Sequence, residues 1–95
     1  MDELLLSKIR LSIVAELLPN EWVAFSALQR AVNTTNGNLG AHLSKLIDAG
    51  YVREEKTFVD RRPQSRYHLT DTGRDAFVAH VKTLEALLDT AEGRS

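Results

Sequence analysis

The sequence contains no cysteine. Disulfides, thiolate metal centres and a cysteine nucleophile are thereby excluded together, and a reducing compartment is the natural setting. Two prolines, five glycines and 6% aromatic residues are too few for a collagen-like or low-complexity chain. No apolar run approaches the roughly 18 residues needed to cross a bilayer. The opening segment, MDELLLSKIR, begins with two acids where a signal peptide would be positive, and its apolar stretch stops after Leu6. A cytoplasmic protein without membrane contact is therefore expected. A surplus of either charge is also missing: 12 basic and 13 acidic residues give a formal net charge of −1.

What is present is an ordinary globular composition, 43% hydrophobic over 95 residues, which fits a single domain spanning 1–95. A chain of this size hides roughly 60 to 70% of its unfolded surface, so the margin is thin and pairing with a second copy would help. The charge is unevenly spread. Thr35 to Leu69 holds six basic and four acidic residues, while the remainder holds six and nine. The positive part is thus one internal stretch, with a local balance of +2 against −3 elsewhere.

Periodicity predicts a mainly α fold with a small β-hairpin, an α+β arrangement. A first helix is expected over about 2–18, with Leu6, Ile9, Ile13, Val14 and Leu17 on one stripe and Leu4, Leu11 and Leu18 on another, stopped by Pro19-Asn20. Trp22 to Phe25 is an apolar link of at most a minimal strand. Ser26 with Gln29 matches a capping box for a helix over about 26–32. Asn33 tolerates left-handed backbone and suits a sharp turn, and Thr35 can cap a third helix over about 36–49 that buries Leu39, Leu43, Leu46 and Ile47 and stops at Gly50. Residues 51–69 read as two strands around a charged turn, Asp60 to Gln64, with Tyr67 and Leu69 inward and Arg66 and His68 outward. Thr70 and Asp71 open a long helix over about 71–91. Its residues Phe77, Val81, Leu84, Leu88 and Ala91 step by 4, 3, 4, 3, a coiled-coil-like seam.

Two short helices about a tight turn, followed by a ribbon, form the layout that places one helix in a major groove. The third helix carries Asn38, Ala41, His42, Ser44 and Lys45 away from its leucines. Asn38 suits adenine, Lys45 guanine or phosphate, and His42 either. The same residues could equally be solvated polar positions. Gly40, inside the helix, costs roughly 1 kcal/mol relative to alanine, which calls for close packing on a neighbouring helix or on nucleic acid. Arg61, Arg62 and Arg66 gather on the ribbon, where guanidinium groups can follow phosphates or enter a narrow minor groove.

The run FSALQRAVNTTNGNLGAHLSKLIDAGYV, from Phe25 to Val52, followed by KTFVDRRPQSRYHLTDTGRDAF, resembles the stand-alone winged-helix transcriptional regulators related to the MarR and ArsR groups. The resemblance extends over roughly residues 8 to 90. It implies a winged helix-turn-helix with a long C-terminal helix, and a regulator, taken as a repressor, that binds palindromic operator DNA as a homodimer. Thr35, Asn36, Asn38, Ala41, His42, Ser44 and Lys45 would face double-stranded DNA, with Arg61, Arg62 and Arg66 on the backbone or minor groove. Family members often carry Ser-Arg where this chain has Gly40-Ala41.

Dimerisation has its own physical motive. Leu4, Leu11 and Leu18, with Phe77, Val81, Leu84 and Leu88 on the last helix, offer more apolar surface than one small domain buries. Catalysis and metal binding are not expected, because neither His42 nor His80 has a carboxylate or a second histidine at helical spacing, His68 has Arg66 and Thr70 as its strand-face neighbours, and no glycine-rich phosphate loop or serine elbow occurs. No cofactor is implied. A small-molecule effector would have to share a pocket with the interface of the first and last helices. The rival reading is a winged helix that binds protein without touching DNA, since fold does not fix function.

Overall fold

A computed structural model describes residues 2–93. Its element order is a 3-10 turn at Glu3–Leu6, α1 (Lys8–Leu17), β1 (Val23–Ala24), α2 (Phe25–Val32), α3 (Asn36–Asp48), β2 (Val52–Val59), β3 (Arg62–Leu69) and α4 (Asp71–Ala91). The α+β arrangement expected from periodicity is the one observed.

The expected single helix over 2–18 is instead two elements that meet at Ser7. Asp2 caps the 3-10 turn by accepting the Leu4 N–H, and Ser7 caps α1 by accepting that of Arg10. Both caps hold extended backbone, so the helical phase breaks between them. The break moves the apolar register: Leu5 is buried and Leu6 is 59% exposed, the reverse of the expected stripe. Leu4 leaves the helical row of Leu11 and Leu18, both of which pack on the core.

Helix α2 starts at Phe25, one residue early, and the Ser26–Gln29 capping box is not formed. Val23 and Ala24 pair with Tyr67 and Arg66 of β3, so the chain runs straight from strand into helix and Ser26 falls inside the first turn. Ala24 sits at the cap position with no side-chain hydrogen bond. Gln29 reaches forward, its Nε2 donating to the Thr34 carbonyl at 2.6 Å. Asn33 adopts the left-handed conformation (φ 56°) that turns the chain toward α3. Thr35 caps α3 as its position suggested, accepting the Asn38 N–H at 3.1 Å.

Helix α3 closes on Gly50 (φ 79°). The Tyr51 N–H donates to Leu46 and the Gly50 N–H to Ile47, the paired bonds of a Schellman ending that only a residue at ease with positive φ supports well. The next clamp ties this ending to α4. Thr70 donates its N–H to the Tyr51 carbonyl and its hydroxyl to Gly50, and the same oxygen accepts the Gly73 N–H. Gly73 is buried against this clamp, so closely that a Cβ there would collide with the Tyr51 carbonyl oxygen and lie 2.6 Å from Leu69 Cδ1.

The sheet has the order β1-β3-β2, one strand more than the hairpin alone. Its turn is shorter than the expected Asp60–Gln64. Val59 pairs with Arg62, leaving only Asp60 and Arg61 between the strands, both at positive φ (52° and 66°). That signature belongs to a two-residue turn whose twist matches the flanking strands. Phe58↔Pro63 is then a non-bonded pair, so proline loses no ladder hydrogen bond there. The core gathers Leu5, Ile13, Val14, Leu17, Leu28, Leu39, Leu43 and Leu46 against the sheet base of Val23, Val52, Tyr67 and Leu69. Long dimensions of 57 × 25 × 21 Å reflect α4, a 21-residue helix.

Candidate nucleic-acid interface

Helix α3 buries Leu39, Leu43 and Leu46, which commits the opposite side to solvent. Asn36, Asn38, Ala41, Ser44 and Lys45 are all exposed. The side chains of Asn36, Asn38, Ser44 and Lys45 make no hydrogen bond or ion pair among the described residues. Thr35 is exposed as well, its hydroxyl oxygen serving the cap. Nothing lies within 4 Å of a Cβ placed at Gly37 or Gly40. Packing on a neighbouring helix therefore does not explain Gly40; within the chain, the space above it is open.

His42 differs from its neighbours on α3. It is half-buried, and its Nδ1 lies 3.0 Å from Nη1 of Arg10 on α1. Desolvation, then the charges of Arg10 and Lys45, lower its pKa below the ordinary histidine value. Arg10 was not among the residues singled out from the sequence. It lies 32 positions from His42, and no local pattern joins them.

The ribbon divides its arginines. Arg61 and Arg62 are exposed at the tip, without ion pairs among the described residues. Arg66 is four residues down β3, about 13 Å away at strand rise. It donates to Glu55, its cross-strand partner, through Nη2 at 2.5 Å and Nε at 3.2 Å, and lies 4.5 Å over the Trp22 ring. Trp22 in turn stacks on His68 with ring centroids 5.2 Å apart, and His68 Nδ1 lies 2.6 Å from the Glu21 carbonyl oxygen. The turn thus brings Arg61 and Arg62 together but not Arg66, whose charge meets an acid within the sheet. Lys56 on β2 is a further exposed cation without an ion pair among the described residues, passed over because strand facing is hard to assign amid a charged run.

The apolar residues of the last helix also divide. Phe77 and Val81 are half-buried, and Phe77 packs on the core. Leu84 is 39% and Leu88 57% exposed, joined by Leu87 and Val78. His80 is buried, and its Nδ1 has no hydrogen-bond partner among the described residues. The three histidines lie on α3, β3 and α4, and among the described residues no three His, Asp or Glu side chains converge as a metal site. No described helix is long and apolar enough to cross a membrane.

Helix-turn-helix, three-stranded sheet with a projecting ribbon and long final helix together define the winged helix-turn-helix class. Residues 9–88 match the family described as winged helix DNA-binding domain, and the chain belongs to that family. An uncharacterised protein of Methanocaldococcus jannaschii is 35% identical over 75 residues, covering 79% of this chain and 82% of its own. A transcriptional regulator homologue from Pyrococcus horikoshii OT3 shares the fold with a TM-score of 0.87 at 31% identity, covering 95% of this chain and 89% of that one. A MarR-family transcriptional regulator from Silicibacter pomeroyi gives a TM-score of 0.72 at 26% identity, covering 93% and 58%. Family and fold are those of transcriptional regulators, not of enzymes.

Proposed function

We propose that this protein is a transcriptional repressor that binds a palindromic operator as a homodimer. The observation that carries the reading is the exposed face of α3, where Asn36, Asn38, Ser44 and Lys45 have no internal partners and Gly37 and Gly40 leave room for close approach. Side-chain amides and an ammonium on a helix of 13 residues match base edges in a major groove. Arg61 and Arg62 then reach phosphates or the adjacent minor groove. Arg66 contributes indirectly, by bracing the ribbon through Glu55 and Trp22.

The distal part of α4 supplies the second copy's contact. Leu84, Leu87 and Leu88 are exposed large apolar residues on one short stretch, and covering them is worth roughly 25 cal/mol per Å² removed from water. A two-fold pair would set its recognition helices about 34 Å apart, one turn of duplex. Leu18, Phe77, Val78, Val81, Lys82 and Glu85 line a groove of about 240 Å³. That is below the roughly 300 Å³ at which ligand pockets begin, so an effector bound there would need walls from the partner copy. Recovery of genomic fragments on the purified protein tests the proposal: enrichment of inverted repeats with half-sites about 10 base pairs apart supports it, and no enrichment over bulk DNA refutes it.

A further inference from the structure

His42 is held from outside its own helix. Arg10 Nε donates to the Leu4 carbonyl at 2.6 Å, which anchors the guanidinium on the 3-10 turn, and Nη1 reaches His42 Nδ1 at 3.0 Å. A guanidinium has donors only, so Nδ1 must be the acceptor. The ring is therefore neutral, with its proton on Nε2. That nitrogen has no partner among the described residues and is not shut off from solvent. Protonating the ring would set a second N–H against the guanidinium. The charged groups facing it are Arg10 from α1 and Lys45 from its own helix, and both oppose an imidazolium.

We propose that Arg10 is a specificity-determining positioning residue, holding His42 as a neutral Nε2–H donor for a base acceptor in the major groove. The inference rests on the reading of α3 as the recognition helix. A lone donor matches N7 or O6 of guanine, N7 of adenine or O4 of thymine, and is refused by the exocyclic amine of cytosine. An imidazolium would instead add sequence-blind attraction to phosphates that varies with pH. Arg10 thus makes the histidine a reader of sequence whose state is steady near neutrality.

Long-range proton–nitrogen NMR on the free protein tests the clamp. His42 is expected as the Nε2–H tautomer with a titration midpoint below the ordinary value near 6.5. In Arg10→Met, which removes charge and donors, the midpoint should rise toward that value. In Arg10→Lys, which keeps the charge but not the fork, the tautomer should become mixed. An ordinary midpoint in the wild type, unmoved by either variant, overturns the clamp. On DNA, Arg10→Lys and His42→Ala should each lose about tenfold of preference at one and the same base pair, with little change elsewhere, and the double variant should lose no more. Acidification from pH 7.5 to 6 should leave wild-type affinity nearly unchanged and strengthen binding by Arg10→Met. Equal weakening on every sequence would make Arg10 a phosphate contact and overturn its role in specificity. If the wild type binds no DNA at all, the reading of α3 fails and the base preference with it, while the NMR result still decides the clamp.

Discussion

The two ends of the β2–β3 ribbon carry the same residue types in opposite states. At the base, Val52, Tyr67 and Leu69 are buried, and Arg66 is tied to Glu55 and laid over Trp22. The Tyr67 hydroxyl donates to Glu54 at 2.7 Å, and burial followed by that carboxylate pushes its pKa up. At the tip, Phe58 is 75% exposed and Arg61 and Arg62 have no acid to meet among the described residues. Alternating strand geometry is the same throughout; what differs is the cross-strand neighbour. Arg66 faces Glu55, whereas Arg62 faces Val59. A cation opposite an acid is neutralised within the ribbon, and a cation opposite a valine is left without a counter-charge, as the proposed grip on DNA requires. Helix α4 repeats the contrast, with Gly73 and His80 buried in its first half and Leu84, Leu87 and Leu88 exposed beyond.

The contrast breaks most visibly at the base. Gly73→Ala drives a methyl group into the Tyr51 carbonyl and the Leu69 side chain and should destabilise by about 3 kcal/mol or prevent folding, as measured by chemical denaturation, because the Tyr51 backbone resists displacement and Leu69 is packed in the core. At the far end of α4, Leu84→Glu with Leu88→Glu should leave the fold intact and yield monomers in analytical ultracentrifugation. Affinity for a palindrome should fall about a hundredfold while a half-site is bound as before. Gly40→Ala should act in opposite directions on two readouts. With open space around the position, thermal denaturation should show about 1 kcal/mol of added stability from helix propensity, and DNA binding should weaken if duplex backbone approaches that point. Stabilisation with unchanged DNA affinity would mean that α3 presents a different face.

Much of this was legible because short-range chemistry decided it. Thr35, Asn33, Gly50 and Thr70 act where residue type alone placed them, since caps and left-handed turns are settled within four or five residues. The bounds of α4 followed from the same signals. The misreadings arose where tertiary pairing outweighed local preference. Ser7 splits the first helix because Leu5 rather than Leu6 reaches the core. The pairing of β1 with β3 displaces the Ser26 cap, and the two-residue turn absorbs Arg62 and Pro63 into a strand. The exposed face of α3 on which the proposed interface rests was legible, because the opposite face is defined by its leucines. The site was not legible for Arg66, whose fate depends on cross-strand register, nor for Arg10, which meets His42 only through the fold.

If the proposed function holds, the unpaired cations at the ribbon tip and on α3 grip a polyanion while the paired Arg66 does not. Affinity for an enriched DNA fragment, followed by fluorescence anisotropy from 50 to 300 mM salt, tests it directly. Log affinity should fall linearly with log salt for the wild type, and the slope should lessen by about 2 in Arg61→Ala with Arg62→Ala. Arg66→Ala should leave the slope unchanged. A flat salt dependence, or a slope that Arg66→Ala reduces as much as the tip variants do, would mean that the unpaired cations do not set the grip on DNA.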